Sequence, residues 1–413
     1  MAQRNVVLGL DIGTTKIAAT VGHFAEGGVE ILAMTKVPNS GLRRGQVVDV
    51  EETVSAISAV LEDAERQAQT PLQSAIVGLS GSQVETTQSK GVIAVSRPDG
   101  EITQQDVDRV LEAARAIAMP ANREIIHILP KGFTVDAEAN IVDPVGMTGI
   151  RLEVDAHVVS CPSPAAKNLV RAVGQAGLAI DEMIFSPLAT AELILTKRQK
   201  ESGVALIDIG AGTTELAVYE ENDLIHAAVL PVGSMHITND IAIGLKTSID
   251  LAEAIKVRYG TALVGDIRDI DTIDLTVIDP TELERPKRKY IAEIIEARLA
   301  ELFMIVNDEF RKIGKDGTLP AGVVFTGGGS RLDGLVELAK QNLHLPAKLG
   351  RPHTEFMGSV DKLDDPAYAT CVGLALWGLS GRPHREPGQK PFSLDNMEGV
   401  VGKARDFFKQ LLP

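Results

Sequence analysis

Cysteine is scarce in this chain of 413 residues. Its two cysteines, Cys161 and Cys371, are too few for a disulfide scaffold and lack the spacing of a metal site. We expect both thiols to be buried and reduced, as in a cytosolic protein. The sequence also lacks Walker-type, protein-kinase, His-Glu-x-x-His and Cys-x-x-Cys motifs, which excludes those nucleotide, protease and redox sites.

Long apolar runs and an excess of positive charge are absent as well. No run is long enough to span a bilayer, and the first residues lead into a short strand without the apolar segment of a signal peptide. The net charge of −15 argues against nonspecific binding to nucleic acid. We therefore expect a cytoplasmic protein with peripheral membrane contact at most. With 44% hydrophobic and 23% charged residues, the chain suits two or more soluble domains.

One short pattern occurs twice and organises the chain. Residues 206–218 read as a strand, a Gly-Thr turn and an antiparallel strand, with Asp208 ending the first strand. Residues 8–19 repeat the pattern around Asp11 with a shorter turn, and Lys16 stands where the second copy has Glu215. Glycines let backbone N–H groups approach a phosphate, threonines add hydroxyl donors, and the aspartate can hold hydrated Mg²⁺. A single copy is usually only a turn, but two copies predict two related domains that face one ligand.

A third glycine-rich loop follows another predicted buried strand at residues 322–325. Three consecutive glycines precede Ser330 and Arg331. They can bring the backbone into contact with a ribose or a base, and Arg331 could stack over that base. The alternative is an ordinary strand-to-helix turn. After two phosphate hairpins, an adenosine-side loop is the favoured interpretation.

The rest of the chain alternates strands and helices. Amphipathic helices are predicted from Asp49, from Thr103 and over residues 289–313. Further helices are predicted at residues 187–196, 234–245 and 249–259, and a strand at residues 91–96. A small strand pair is predicted within residues 266–279. Residues 83–159 differ in pattern and read as a small α+β insertion.

These motifs resemble those of a known superfamily. Residues 11–15 and 208–214 look like the two phosphate loops of the actin, hexokinase and Hsp70 superfamily, and residues 327–330 resemble its adenosine loop. Within that superfamily, the chain is similar over essentially its whole length to the FtsA family of bacterial cell-division proteins. The most specific stretches are residues 102–118, 143–147, 231–242 and 294–298.

The resemblance implies an α/β, actin-like fold in which two related RNase H-like domains surround a nucleotide cleft, each with an inserted subdomain. The implied first domain comprises residues 1–82 and 160–190, joined by about 356–380, with residues 83–159 as its inserted subdomain. The implied second domain comprises residues 191–246 and 319–355, with a helical subdomain at 247–318. A linker at 381–395 and an amphipathic helix at 396–413 would follow.

The resemblance also implies ATP and Mg²⁺ as ligands. Glu253 and Lys256 lie three apart on one predicted helix, where the superfamily's adenine pocket takes polar contacts; the alternative is a surface ion pair. Asp11 and Asp208 are the predicted Mg²⁺ residues, through water. The predicted nucleotide-binding residues are Asp11, Gly13, Thr14, Thr15, Lys16, Asp208, Gly210, Ala211, Gly212, Thr213, Thr214, Glu253, Lys256, Gly327, Gly328, Gly329, Ser330 and Arg331.

Hydrolysis of ATP is expected to be slow or absent. Hsp70- and MreB-like relatives carry an acid immediately before the proline of the interdomain helix, whereas this chain has Ser186 before Pro187. A serine hydroxyl does not act as a general base near neutral pH without activation. We therefore predict ATP binding with weak turnover and assign no catalytic residue.

An amphipathic stripe follows a linker rich in proline, glycine and charge. Such a stripe is usually part of a core, but after a flexible linker it predicts a helix that binds a membrane surface or a partner. The predicted membrane-binding residues are Met397, Val400, Val401, Ala404, Phe407, Phe408, Leu411 and Leu412.

A basic group lies within residues 285–298 of an otherwise acidic chain. A solvated helix face is one interpretation. The other is a dock for an acidic peptide, which the resemblance identifies with the C-terminal tail of the tubulin-like protein FtsZ. Lys289 and Arg298 are the predicted partner-binding residues.

The leading interpretation is a cell-division adaptor. ATP would order a body that self-associates into filaments, the C-terminal helix would hold it to anionic lipid on the cytoplasmic side of the inner membrane at the division site, and the helical subdomain would capture FtsZ. Other division proteins are further implied partners, and nucleic acid is not. The alternatives are a PilM-type pilus-assembly protein and a sugar-kinase-like phosphotransferase, for which the sequence supplies no convincing catalytic carboxylate.

Overall fold

The structure, a computed structural model, describes residues 6–116 and 122–380. In chain order, its first elements are β1 (Val7–Ile12), β2 (Lys16–Ala25), β3 (Gly28–Pro38), β4 (Leu42–Arg43), β5 (Gln46–Val47), α1 (Val50–Ala68), β6 (Ser74–Leu79), β7 (Glu85–Ala94), α2 (Gln104–Arg115), β8 (Arg123–Val135), β9 (Glu138–Ile141), β10 (Arg151–Pro162), α3 (Ser163–Gln175), β11 (Ala179–Phe185), α4 (Ser186–Ile194) and α5 (Lys197–Ser202). The later elements are β12 (Val204–Ile209), β13 (Thr214–Glu220), β14 (Asp223–Leu230), α6 (Ser234–Leu245), α7 (Ile249–Tyr259), α8 (Arg288–Lys312), β15 (Val323–Thr326), α9 (Leu335–Leu343), β16 (Ala347–Leu349), β17 (Phe356–Gly358) and α10 (Ala369–Ser380).

The two main sheets repeat one arrangement. In the first, β1, β2 and β3 form an antiparallel meander, and β6 and β11 extend it from β1 by parallel pairing. In the second, β12, β13 and β14 form the meander, and β15 and β16 extend it from β12 in the same way. The first sheet has one further strand, β17, which pairs with β3. The repeated hairpin in the sequence is therefore the centre of a repeated sheet.

Helix α1 shows how the sequence specifies these elements. The side chain of Asp49 accepts a hydrogen bond from the backbone N–H of Glu52 at 3.1 Å and so caps the first turn. The predicted apolar face is confirmed, because Ile57, Val60 and Leu61 are buried against the first sheet. Helix α10 packs on β1 and against α4, so the last described segment returns to the first sheet.

Residues 85–162 form a separate four-stranded sheet in the order β7, β10, β8, β9, with α2 packed on it. Val107, Val110 and Leu111 of α2 lie in a core that belongs to this unit alone. The unit also contacts the second sheet, since Thr86 donates a hydrogen bond to the backbone oxygen of Ala227 in β14. It therefore bridges the two halves of the molecule.

Helices α6 to α9 pack with the second sheet in one core. The 25-residue helix α8 buries Ile295, Leu299 and Phe303, and the Phe303 ring meets the ring of Phe325 in β15 edge to face at 5.9 Å. The long helix predicted over residues 289–313 is thus confirmed to within one residue at each end.

Other predictions of secondary structure were wrong. Residues 266–279 do not form a strand pair; the chain there makes short 3₁₀ turns at Val264–Asp266 and Leu275–Val277. The aspartates explain the difference, because the Asp274 side chain accepts hydrogen bonds from the backbone and hydroxyl of Thr276 and so closes a local turn. Strand β7 begins at Glu85 rather than Gly91, and β9 was not predicted.

Candidate functional site

The two Gly-Thr turns have the same backbone geometry. A hydrogen bond from Gly13 N to Lys16 O closes the first turn, and one from Gly210 N to Thr213 O closes the second, both at 2.9 Å. The turns also touch. A Cβ atom on Gly212 would lie 2.7 Å from Thr14 Oγ1, which is too close for any other residue without a shift. The predicted phosphate loops therefore face each other across the boundary between the two sheets.

A cavity of about 750 Å³ opens between these turns. Two predicted residues do not line it: Thr214 donates to Val232 O at 2.7 Å, and Ser330 donates to Gly327 O at 2.7 Å, so both hydroxyls stabilise the loops from behind. The predicted residues that do line the cavity are Asp11, Gly13, Thr14, Thr15, Lys16, Asp208, Gly210, Ala211, Gly212, Thr213, Glu253, Lys256, Gly327, Gly328, Gly329 and Arg331.

Three charged groups lie at the inner end of the cavity. Lys16 Nζ and Asp11 Oδ2 form an ion pair at 2.9 Å. Burial lowers the pKa of the Lys16 ammonium, but Asp11 and the other acidic groups nearby, which include Asp208, together raise the pKa above its ordinary value. Burial, reinforced by the charge of Asp11, raises the pKa of Asp208 to about 6. The carboxylate of Asp208 thus lacks a full counter-charge, which is the condition in which a cation stabilises it.

The residues present fit a Mg²⁺ ion that is bound with a nucleotide. Mg²⁺ usually keeps several waters and takes one or two carboxylates plus phosphate oxygens. Asp11 and Asp208 supply that number of carboxylates, one from each half of the molecule. Across residues 6–116 and 122–380, no cluster of three or more His, Cys, Asp or Glu side chains could hold a metal by itself.

The three-glycine loop joins the same cavity from the end of β15. Gly327 has a positive φ of 82°, and a Cβ atom there would lie 2.1 Å from Asp208 Oδ1, so the position requires glycine. Arg331 lines the cavity, but its side chain is not free to stack over a nucleotide base as the sequence suggested. Its guanidinium forms an ion pair with Asp365, which also accepts a hydrogen bond from Lys36 at 3.2 Å. This contact joins the second half of the molecule to the first.

Glu253 and Lys256 form part of the cavity wall. Lys256 Nζ lies 2.7 Å from Glu253 Oε2 and 2.8 Å from Thr238 Oγ1, and it is nearly buried. The ammonium of Lys256 is therefore buried in the cavity wall, whereas the carboxylate of Glu253, whose side chain is 49% exposed, remains in contact with solvent.

Two polar residues of the cavity, Ser80 and Glu215, were not among the predicted nucleotide-binding residues. Ser80, at the end of β6, donates a hydrogen bond across the cleft to Glu215 of β13. Glu215 is 7% exposed, and burial raises its pKa well above the ordinary value. The hydroxyl of Ser186, the first residue of α4, lines the cavity and has no hydrogen-bond partner within the described chain. The sequence did mark Glu215, which follows Thr-Thr in the second hairpin at the position that Lys16 has in the first. No sequence pattern indicated Ser80.

The predicted partner-binding residues lie on α8, outside the cavity. Arg298 makes two hydrogen bonds to Asp240 of α6, at 2.6 and 2.9 Å, and a third to Glu301 at 2.7 Å. Lys289 Nζ lies 2.7 Å from Asp269. Both cations therefore already have carboxylate partners within the chain.

The predicted membrane-binding residues, Met397 to Leu412, lie outside the described residues. Within the described ranges 6–116 and 122–380, none of the helices has the length and apolar character required to span a bilayer.

The chain is similar to two family models and to several known proteins. The family model described as cell division protein FtsA matches residues 205–373, and the model described as SHS2 domain inserted in FTSA matches residues 81–160. The chain is 39% identical to cell division protein FtsA of Pseudomonas aeruginosa over 375 residues, which cover 91% of this chain and 89% of the relative. It is 37% identical to the Bacillus subtilis protein of the same name over 374 residues, which cover 91% and 83%.

Solved structures resemble the fold at lower identity. The PilM-PilN type IV pilus biogenesis complex matches with a TM-score of 0.69 and 19% identity, covering 91% of this chain and 99% of the matched one. MreB5 of Spiroplasma citri, solved bound to ADP, matches with a TM-score of 0.53 and 13% identity, covering 90% and 95%. These likenesses concern the fold alone. They confirm the predicted actin-like fold class.

Proposed function

The chain belongs to the FtsA family of cell-division proteins, and from this premise we propose that it is an ATP-binding adaptor that polymerises on the membrane and tethers FtsZ to it. The observation that carries the proposal is the contact between Thr14 and Gly212, which places two phosphate-type turns on either side of one cavity. The boundaries predicted from the sequence serve as the proposed domain assignment, with residues 247–318 as the partner-binding subdomain.

The proposed roles in the cleft follow from its donors and charges. Backbone N–H groups of the two turns, with the hydroxyls of Thr14, Thr15 and Thr213, would bind the phosphates. Lys16 would add a positive charge, and Asp11 and Asp208 would hold Mg²⁺ through water. The bound Mg²⁺ supplies the positive charge that two acidic groups and a triphosphate require. Glu253 and Lys256 would meet the adenosine end.

Gly212→Ala tests this nucleotide site. The added methyl group would meet Thr14 Oγ1 at 2.7 Å and the Arg44 backbone at 3.0 Å, so the two turns must separate. We expect binding of ATP, measured by calorimetry with Mg²⁺, to weaken at least about tenfold, or ~1.4 kcal/mol.

Gly174→Ala is the matched control, because a methyl group there meets nothing within 4 Å on the exposed side of α3. This variant should bind ATP like the original protein. Equal affinity of all three proteins for ATP would refute the proposed site.

Membrane attachment is proposed for residues 396–412. Each large apolar side chain contributes roughly 1.5–3 kcal/mol when fully buried, but an interfacial helix buries its side chains only in part and must also become ordered. A single copy should therefore bind weakly. Filaments would present many copies on one surface and make attachment firm through avidity.

Capture of FtsZ is proposed for the surface around Lys289 and Arg298 on α8. An acidic peptide would compete there with Asp269 and Asp240, which hold these cations in the free protein. Binding by exchange of ion pairs at a partly exposed surface contributes little energy per pair. The proposed contact is therefore weak for one peptide and suited to many linked copies.

Sequence similarity favours a role in cell division over the PilM-type alternative. The likeness to the PilM-PilN complex extends to the fold only, whereas the named relatives are similar in sequence over nine-tenths of the chain. The proposed site of action is the cytoplasmic face of the membrane at the division site. Family membership implies division proteins as partners.

A further inference from the structure

A second cavity, which we call the junction groove, lies where the inserted unit meets the two halves of the molecule. It has a volume of about 320 Å³ and is lined by α2, β8, α4, the β13–β14 turn and α10. That volume is at the lower end of the roughly 300–1,000 Å³ typical of ligand pockets. The groove is distinct from the nucleotide cavity and shares no lining residue with it.

The walls of the junction groove are apolar. Leu111 of α2, Phe133 of β8, Leu188 of α4 and Trp377 of α10 come from four different elements and are individually buried. On the open side of the groove these side chains make no van der Waals contacts with protein atoms, and an apolar segment bound there would provide them.

The rim of the groove is mainly acidic. Burial, with the neighbouring charge of Glu221, raises the pKa of Asp223 to about 6 even though Lys131 opposes the shift. Lys200 is neutralised by Glu192 and lies 5.1 Å above the ring of Tyr219. The groove therefore suits an apolar segment that also carries positive charge.

The chain itself supplies such a segment. Helix α10 ends at Ser380, three residues after Trp377. Residues 396–412 contain three basic and two acidic residues beside their apolar side chains, whereas the whole chain has a net charge of −15. A linker of the composition predicted for residues 381–395 would span about 20 Å on average and about 50 Å when fully extended, which would bring residues 396–412 within reach of the groove.

We propose that residues 396–412 dock in the junction groove when no lipid is present, and that the groove and the membrane compete for the same apolar side chains. A short flexible linker gives an effective concentration in the millimolar range, so even a weak contact is occupied within one chain. A membrane then binds only those molecules whose segment has left the groove. The apparent affinity of the protein for the membrane is the intrinsic affinity multiplied by the fraction of such molecules. Docking in the groove does not depend on the proposed membrane role; only the competition does.

The single tryptophan of the chain provides the test of docking. Trp377 lines the groove, so a docked segment should shield its indole from acrylamide. We expect quenching of the fluorescence to increase on deletion of residues 396–413, and to fall again when the synthetic peptide 396–413 is added to the truncated protein. Equal quenching of the full and truncated chains would overturn the proposal. Shielding that depends on protein concentration would also overturn it, because the segment would then dock on a second copy.

Gly132→Leu tests the competition with lipid. Gly132 lines the groove, and a Cβ atom there would meet nothing within 4 Å, so the backbone has room for a leucine that occupies part of the groove. We expect the full-length variant to bind vesicles containing anionic lipid about tenfold more tightly than the original protein. Gly174→Leu, on an exposed face of α3, is the matched control and should change nothing.

Unchanged vesicle affinity of Gly132→Leu would refute the competition. Failure of the membrane proposal looks different, because vesicles would then bind the full and truncated chains equally. The quenching experiment would still decide whether the segment docks.

Discussion

Buried carboxylates dominate the cleft at the scale of single residues. Asp208 and Glu215 are opposite each other on β12 and β13, and burial raises the pKa of both. Neither has a salt bridge among the described residues. These groups therefore make the nucleotide-free protein less stable than a neutral cleft would, and a bound cation would offset that loss.

Asp208→Asn should separate stability from binding. Burial raises the pKa of Asp208 to about 6 in the folded protein, above the ordinary value of 3.8, so the folded state holds the proton more tightly. The free energy of unfolding of the nucleotide-free protein should therefore fall as pH rises from about 4 to about 6. Asparagine removes this contribution, and we expect the variant to be more stable at pH 7, by on the order of 2 kcal/mol, while it loses Mg²⁺-dependent ATP binding.

Urea unfolding at pH 4, 5, 6 and 7 measures the effect. The pH dependence should be reduced rather than abolished, because Glu215 keeps its raised pKa. A variant that is less stable than the original protein at pH 7 would contradict this account of Asp208.

The expected rate of ATP hydrolysis is low because Ser186 stands where active relatives are expected to have an acid. Its hydroxyl lines the cavity and has no hydrogen-bond partner in the part of the chain that the structure describes, and a hydroxyl is too weak a base to activate water. Glu215 is held by Ser80, and burial favours its protonated form, which cannot accept a proton. We expect slow phosphate release in a single-turnover assay, and less than about a twofold change in Ser186→Ala. Brisk release by the original protein would show that another group activates the water.

The glycines of the cleft could be predicted from the sequence because the close approach of two backbone segments requires glycine at fixed positions of a loop. Gly212 and Gly327 sit where a Cβ atom would collide with a neighbouring loop, and that requirement leaves a visible pattern. Ser80 and Glu215 meet only after folding, because 135 residues separate them. Their hydrogen bond could not be predicted from the sequence for that reason.

At the scale of elements, α8 is tied to α6 by one ion pair. Arg298 binds Asp240 with two parallel hydrogen bonds, a geometry that is stronger than a single contact. The same carboxylate limits what Arg298 can offer to a partner. Release of Arg298 from Asp240 should therefore be part of peptide binding.

Two substitutions with opposite effects test this on α8. Arg298→Glu should abolish binding of an acidic FtsZ tail peptide, measured by fluorescence anisotropy. Asp240→Asn should strengthen binding by about two- to fivefold, because it frees the guanidinium of a competitor worth roughly 0.5–1 kcal/mol. Weaker binding in both variants would mean that the pair only maintains the shape of the surface.

Elements with strong periodicity and clear caps were predicted from the sequence, whereas short ones were not. Asp49 and the apolar face of α1 marked that helix, and α6 and α7 have the predicted bounds. The helix expected from Pro187 to Thr196 ends at Ile194, because Thr196 caps a new helix through Gln199. Strands β16 and β17 have three residues each and are defined by pairing with distant strands, so no local pattern indicated them.

At the scale of the whole molecule, a duplicated sheet forms one cleft that has contacts from both halves. Ser80 with Glu215 and Arg331 with Asp365 cross this boundary at two places. The inserted unit crosses it at a third, through Thr86 and Ala227. A nucleotide between the halves would add a further link and fix their relative position, which is the proposed basis for polymerisation.

The most direct measurement is electron microscopy of the purified protein on a monolayer of anionic lipid. We predict filaments on the lipid with Mg²⁺ and ATP, and none without nucleotide, with Gly212→Ala or after deletion of residues 396–413. Filaments that form on the monolayer equally well without ATP, or without residues 396–413, would contradict the account.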